Sequence, residues 1–305
     1  MAYMTKCQFF LSLAIAVMVC QSQPAAGSDC DQDGDPKGSI AACSVLIARE
    51  PRNGSAYLSR GDAYRASGDL VHAVADYTKA IEIDPRDTEA YYRRCTAHRK
   101  LGNLDSALAD GTKAIEKSPQ SYNAYFARAE VYRDMGDTGA AIADFSRAIE
   151  FNPRATWAIL ARGAAYRKRG ELYLAIADDT KAIEVNPGAA EAFFERANAF
   201  RELGIFEKAI ADYSRVIEMR PTDANAYNNR AWAYYRAGDP VRALADAGKA
   251  LQLRPFDGEV FDTKAHILEI LGRRDEAISF YRKALRLNPD IEGSKEGLRR
   301  LGAAP

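Results

Sequence analysis

Apolar and polar residues follow one another along this chain in a pattern that returns every 34 residues. The segments AVADYTKAIEIDP, AIADFSRAIEFNP, AIADDTKAIEVNP and AIADYSRVIEMRP each space their apolar residues for one face of a helix. All four close on a proline, which cannot continue a helix. The prolines stand at Pro51, Pro85, Pro119, Pro153, Pro187, Pro221, Pro255 and Pro289, every interval being 34 residues. Self-similarity at a fixed period of this length marks a repeat architecture, in which each unit buries its apolar face against the next.

Counting repeats from residues 54, 88, 122, 156, 190, 224 and 258 exposes the internal register. Position 8 is always small: Gly61, Cys95, Ala129, Gly163, Ala197, Ala231 and Ala265. Position 11 is bulky in each, position 20 is alanine from Ala73 to Ala277, and position 15 is glycine from Gly68 to Gly272. Glycine at position 15 can take the positive φ that stops one helix and reverses the chain. Each repeat is therefore predicted to be an antiparallel pair of helices, about 14 and about 12 residues long.

This framework, unbroken over residues 54–289, resembles the tetratricopeptide repeat family. The resemblance implies an all-α fold, a right-handed α-solenoid of seven 34-residue helix pairs spanning 54–87, 88–121, 122–155, 156–189, 190–223, 224–257 and 258–291. Open solenoid ends expose apolar surface and need covering. Residues 28–53 are expected to form an N-terminal half-repeat, because SIAACSVLIAREP aligns with a second helix but has no first helix before it. Residues 292–305 are expected to hold a capping helix, from about Ser294 to Leu301, and a tail. Position 24 fills the space between helices with Tyr77, Phe145, Tyr213 and Tyr281, but holds Gly111, Asp179 and Ala247 in the even repeats, where looser packing is predicted.

Charge repeats as strictly as hydrophobicity. Position 7 is arginine and position 23 aspartate in six repeats: Arg60 and Asp76, Arg94 and Asp110, Arg128 and Asp144, Arg162 and Asp178, Arg196 and Asp212, Arg230 and Asp246. The seventh repeat loses both together, carrying Lys264 and Phe280. This joint loss predicts a ladder of structural salt bridges, against the plainer reading of a solvated charge stripe. Lysine plus arginine equals aspartate plus glutamate at 42 each, which argues against a nucleic-acid grip over the whole surface.

Residues 1–27 differ in composition from the rest. Lys6, the run FFLSLAIAVMVC and the small residues of QPAAGS give the layout of a secretory signal peptide, with cleavage expected after Ala26 or Gly27. Lipid attachment at Cys20 and a retained anchor are the alternatives, the first disfavoured by Val19 before it. Export, to a periplasm in the leading reading, would leave Cys30, Cys43 and Cys95 where disulfides can persist. The stretch DCDQDGDPKGSI opens like a calcium loop, with Asp29, Asp31 and Asp33 before Gly34. Its twelfth position is Ile40 rather than a bidentate glutamate, and Pro36 and Lys37 interrupt it. In the repeat register Cys43 falls at position 24 of the orphan helix, so a Cys30–Cys43 disulfide tying an N-terminal cap is the better reading.

Candidate chemistry is sparse. His72, His98 and His266 fall at unrelated positions, and no zinc, phosphate-loop, dinucleotide or nucleophile-elbow motif occurs. The chain is read as a non-enzyme with neither cofactor nor metal, and Cys95 as a core thiol. In tetratricopeptide proteins the first helices line a concave groove, with positions 2, 5, 9, 12 and 13 toward a bound segment. The resemblance therefore implies a partner-binding face holding Tyr92, Phe126, Leu160 and Phe194 at position 5 and Arg99, Arg133, Arg167, Arg201 and Tyr235 at position 12. Trp157 and Trp232 join it at positions 2 and 9. The arginine row, which begins at Arg65, suggests acidic groups on the partner, with a solvated and internally neutralised row as the rival reading. The lysine and asparagine of the family's carboxylate clamp are replaced by Leu58 and Asp62, so that activity is not expected. The expected function is an adaptor or scaffold for protein segments in envelope assembly. A carbohydrate- or peptidoglycan-binding solenoid and a self-associating structural protein are the alternatives.

Overall fold

The structure is a computed structural model and describes Cys30 and residues 34–304. The signal-peptide segment 1–27 and the aspartates of the calcium-loop reading, Asp29, Asp31 and Asp33, lie outside the described residues. Among the described residues there are sixteen helices and no strand. The chain divides into two compact units, residues 1–152 and 153–305.

The first unit holds α1 (Pro36–Arg49), then the pairs α2 (Gly54–Ala66) with α3 (Leu70–Ile83), α4 (Thr88–Lys100) with α5 (Leu104–Lys117), and α6 (Tyr122–Met135) with α7 (Thr138–Phe151). The second holds α8 (Thr156–Lys168) with α9 (Leu172–Val185), α10 (Ala190–Glu202) with α11 (Phe206–Met219), and α12 (Ala224–Arg236) with α13 (Pro240–Leu253). It closes with α14 (Gly258–Ile270), α15 (Arg274–Leu287) and the short α16 (Glu292–Arg300). Within each unit consecutive helices pack on one another, each pair stacking on the next to give an all-α solenoid. No helix among the described residues is long and apolar enough to cross a membrane.

Ring and small residue are complementary inside a pair. A Cβ added to Gly61 would sit 2.6 Å from the Tyr77 ring, so the small residue at position 8 is the seat of the aromatic at position 24. The second helices run 14 residues, not about 12, because only one capping residue separates them from the closing proline, as Asp84 does before Pro85. Most first helices stop at 13, where the glycine turn begins. The even repeats correct the expectation of looser packing. Beside Gly111 the stem of Arg128 comes in from the next pair, 3.0 Å from where a Cβ would stand. Ala247 lies in a core cluster with Tyr234 and Ile267, and Asp179 is 1% exposed.

The N-terminal segment keeps the register of the repeats. α1 stands one 34-residue period before α3, and Gly34 has φ of 84° against 86° at Gly68. Gly34-Asp35-Pro36 repeats the Gly238-Asp239-Pro240 turn, each aspartate capping its helix by accepting a backbone N–H, from Lys37 and Arg242 respectively. The end of the calcium-like motif is thus a turn that leads into α1. A disulfide joins Cys30 to Cys43 with Cα atoms 4.7 Å apart, and both residues are buried against Ala56 of α2. At the other end α16 starts at Glu292, two residues before the expected Ser294, with Ile291 as its buried N-cap.

Candidate functional site: the first-helix face

The ladder positions lie within ion-pair distance in all six repeats. Arg60 donates through Nε and Nη2 to both oxygens of Asp76 at 2.8 and 2.7 Å, and the same fork joins Arg94 to Asp110, Arg128 to Asp144, Arg162 to Asp178, Arg196 to Asp212 and Arg230 to Asp246. The aspartates are buried, and their guanidinium partners keep about a fifth of their surface. A third nitrogen reaches a hydroxyl on the preceding helix pair, which sequence reasoning missed. Arg60 Nη1 donates to Ser44 Oγ at 3.0 Å, Arg94 to Thr78, Arg128 to Thr112, Arg196 to Thr180 and Arg230 to Ser214. The signal was present at position 25, a serine or threonine before each of these arginines and Gly248 before Lys264.

The residues predicted to line the face fall into two groups. Position-5 aromatics are half-buried and packed inward: Phe126 lies 5.6 Å from the Phe145 ring, and Phe194 meets Tyr213 edge-on at 5.7 Å. Tyr92 packs against the cluster around Cys95, and Leu160 is half-buried. Burial pushes the Cys95 thiol up to about 12, so it stays protonated. Trp157, by contrast, is 42% exposed. In the arginine row, Arg99 pairs with Asp134 at 2.7 Å and Glu130 at 3.4 Å, and Arg133 with Glu130 at 2.6 Å. Arg65 meets Asp62 at 3.3 Å, while Arg167 is held by Glu195 and Glu202 at 3.1 and 2.9 Å.

Trp232 and Tyr235 come together in the second unit, their rings 5.2 Å apart, with His266 set edge-on to the indole at 5.6 Å. Together with Arg236, Glu269 and Arg300 they line a cavity of about 580 Å³. Arg300 of α16 grips Glu269 through two bonds of 2.9 Å, and Tyr281 donates to the same carboxylate at 2.5 Å. A second cavity, of about 640 Å³, shares Trp232 and is lined by Phe194, Arg201, Asn228, Asn229 and Glu259 among others. Arg236 sits at position 13, where groove spacing could have found it, whereas Arg300 stands outside the repeat register and carried no such signal. Among the described residues no cluster of three metal-binding side chains occurs.

Helix pairs stacked on one another within each unit define an α-helical repeat protein. Family models described as tetratricopeptide or TPR repeats match residues 61–95, 92–156, 197–238, 224–257 and 259–291, and together they cover more than half of the chain. The chain belongs to the tetratricopeptide repeat family. No curated protein matches it in sequence. Among solved structures it is similar to a tetratricopeptide repeat protein from Parabacteroides merdae, 23% identical, with a TM-score of 0.59 over 82% of this chain and 98% of that one. A repeat protein from Cytophaga hutchinsonii, of which the C-terminal part was solved, is 19% identical with a TM-score of 0.62, over 78% of this chain and 98% of that one. YrrB, described as a TPR protein with an unusual peptide-binding site, is 24% identical with a TM-score of 0.55 over 62% of this chain and 97% of that one. At these identities the likeness speaks for the fold.

Proposed function

We propose that this chain is a non-enzymatic scaffold that holds an extended segment of a partner protein along its first-helix face. The observation that carries the reading is Trp232, a half-buried indole shared by two open cavities with asparagine amides and arginines around it. An extended segment offers side chains for a ring to pack against and backbone groups for amides to bond, and tryptophan with arginine is the pairing that dominates binding hot spots. The similarity to a protein described as having a peptide-binding site agrees with this use of the fold. We place the scaffold outside the cytoplasm, in the periplasm, serving envelope assembly. The signal-peptide layout of residues 1–27 and the Cys30–Cys43 disulfide support that placement, because disulfides persist in oxidising compartments.

The test is site-specific photocrosslinking in the native host. A benzophenone side chain at Trp157 or Trp232 should capture one and the same partner segment, identified by mass spectrometry. The same probe at Val241, 73% exposed on a second helix, should capture none of it. Equal capture from Val241, or none from either tryptophan position, removes the reading. The N-terminal mass of the protein recovered from a periplasmic fraction tests the placement: a chain starting after Ala26 or Gly27 supports export, and an intact Met1 in the cytoplasmic fraction defeats it.

A further inference from the structure

The sequence leaves the arginine row between a stripe for acidic partners and an internally neutralised one, and the structure divides it. Arg65, Arg99, Arg133 and Arg167 are each neutralised by carboxylates of the protein itself. Arg201 forms no ion pair among the described residues, its Nε is buried without a hydrogen-bond partner, and it faces the Tyr213 hydroxyl. One first helix further on, Arg236 likewise has no carboxylate partner among the described residues; it is exposed, its guanidinium 5.3 Å from the Phe206 ring. Arg201 lines the larger cavity, Arg236 the smaller, and Trp232 both. Two uncommitted cations therefore flank one indole.

The nearby acids are mostly committed elsewhere. Asp257 caps α14 by accepting from the backbone N–H groups of Glu259 and Val260 and lies 3.5 Å from Arg254. Asp262 accepts the Ser294 hydroxyl at 2.6 Å, Glu269 is occupied by Arg300, and burial lowers the pKa of His266 and so favours its neutral form. Glu259, at the start of α14, is the carboxylate that remains. A ligand running along α10 and α12 thus meets positive charge, while α14 turns an acid toward it. A cation that has no partner to give up gains a full charge-assisted bond when a carboxylate arrives, whereas a paired one only exchanges partners.

We propose that Arg201, Trp232 and Arg236 form the specificity centre of this face: an apolar or aromatic side chain of the bound peptide rests on Trp232 and Tyr235, and acidic residues on either side of it meet Arg201 and Arg236. The proposal rests on the scaffold reading above and gives it a partner chemistry, an acidic linear segment with a single apolar anchor. Arg300 belongs to the arrangement as a positioning residue, because it occupies Glu269, the carboxylate that lines the same cavity as Arg236.

The chain has two tryptophans, so Trp157→Phe leaves Trp232 as its one indole reporter. The probe is a blocked heptapeptide with central phenylalanine, two glutamates on each side and a glycine at each end. It should change the Trp232 emission saturably, and the same peptide with glutamines for glutamates should bind at least about tenfold more weakly. Arg201→Gln and Arg236→Gln should each weaken the acidic peptide about fivefold or more, while Arg167→Gln, in the same row but already paired, should stay within about twofold. Unchanged far-ultraviolet circular dichroism confirms that each variant folds. Equal binding of the two peptides, an Arg167→Gln loss as large as that of Arg201→Gln, or no saturation at all overturns the proposal. If photocrosslinks still map to Trp157 and Trp232 in that event, the scaffold reading stands and only the charge assignment falls.

Discussion

At the N-terminal end, Arg60 forks onto Asp76 and reaches back to Ser44 of α1, which is fastened by the Cys30–Cys43 disulfide. At the C-terminal end the seventh repeat has lost that arginine, its aspartate and the preceding hydroxyl together, at Lys264, Phe280 and Gly248. There Lys264 Nζ stands 4.6 Å over the Phe280 ring, and α16 is fixed by Ser294 on Asp262 and Arg300 on Glu269. The difference teaches that the ladder links one pair to the next. Each of its arginines meets an aspartate in its own repeat, and Arg60, Arg94, Arg128, Arg196 and Arg230 also reach a hydroxyl in the one before. The last repeat is fastened forward instead, onto a cap that is not a repeat, so the ladder motif has no use there.

The largest break in this comparison should come from Arg60→Ala against Lys264→Ala. Removing Arg60 strands Asp76, which is 5% exposed, and should cost about 3 kcal/mol, the lower end for a buried pair because Arg60 keeps some solvent contact. Removing Lys264 forfeits a cation–ring contact, about 1 kcal/mol. Urea unfolding of the two variants measures the gap, and equal losses would erase the distinction. Next, Cys43→Ser should cost about 2–3 kcal/mol through the reopened loop and speed hydrogen exchange in α1 while leaving α16 alone. Unchanged exchange in α1 would mean that the cap holds without its bond. Ser294→Ala is the mirror experiment, with about 1–2 kcal/mol lost and faster exchange confined to α16 and the start of α14.

The finest test lies between the ends, at Asp179. Burial, with Glu195 and Asp178 nearby, pushes this carboxyl from 3.8 up to about 8, against the opposing pull of Arg167 and Arg196. The folded chain then holds a proton that the unfolded chain releases. This contribution to stability is complete below about pH 4 and is lost as pH rises through about 8. The resulting slope cannot exceed about 1.4 kcal/mol per pH unit. Asp179→Asn should remove that component of the pH dependence of Tm, and parallel profiles for the two proteins would show that the carboxyl titrates normally.

The register of the repeats was legible because it rests on local chemistry: glycine where the chain reverses, proline where a helix must end, and a small residue opposite each ring. The ladder showed as two residue types that vanish together in one repeat. Neutralisation of the arginine row stood in the sequence only as a rival to partner binding, and the sequence did not say which arginines it would spare. The partner of Arg99 is Asp134 and that of Arg167 is Glu202, each 35 residues away on a neighbouring first helix, and the row itself looks uniform. The charge of a groove is a sum over helices that the one-dimensional repeat does not rank.

By itself, then, the sequence determined the period and the helix pairs, whereas the turn at Gly34 emerged from the structure. Backbone preference and burial at fixed spacing act within a few residues of where they are written. Only the tertiary structure decided which charges remain available. It set Arg201 and Arg236 in two cavities that share Trp232 and brought Arg300 from outside the repeats onto Glu269. Ion pairs depend on distance in space, and side chains a full period apart in the chain reach each other only when the pairs are stacked.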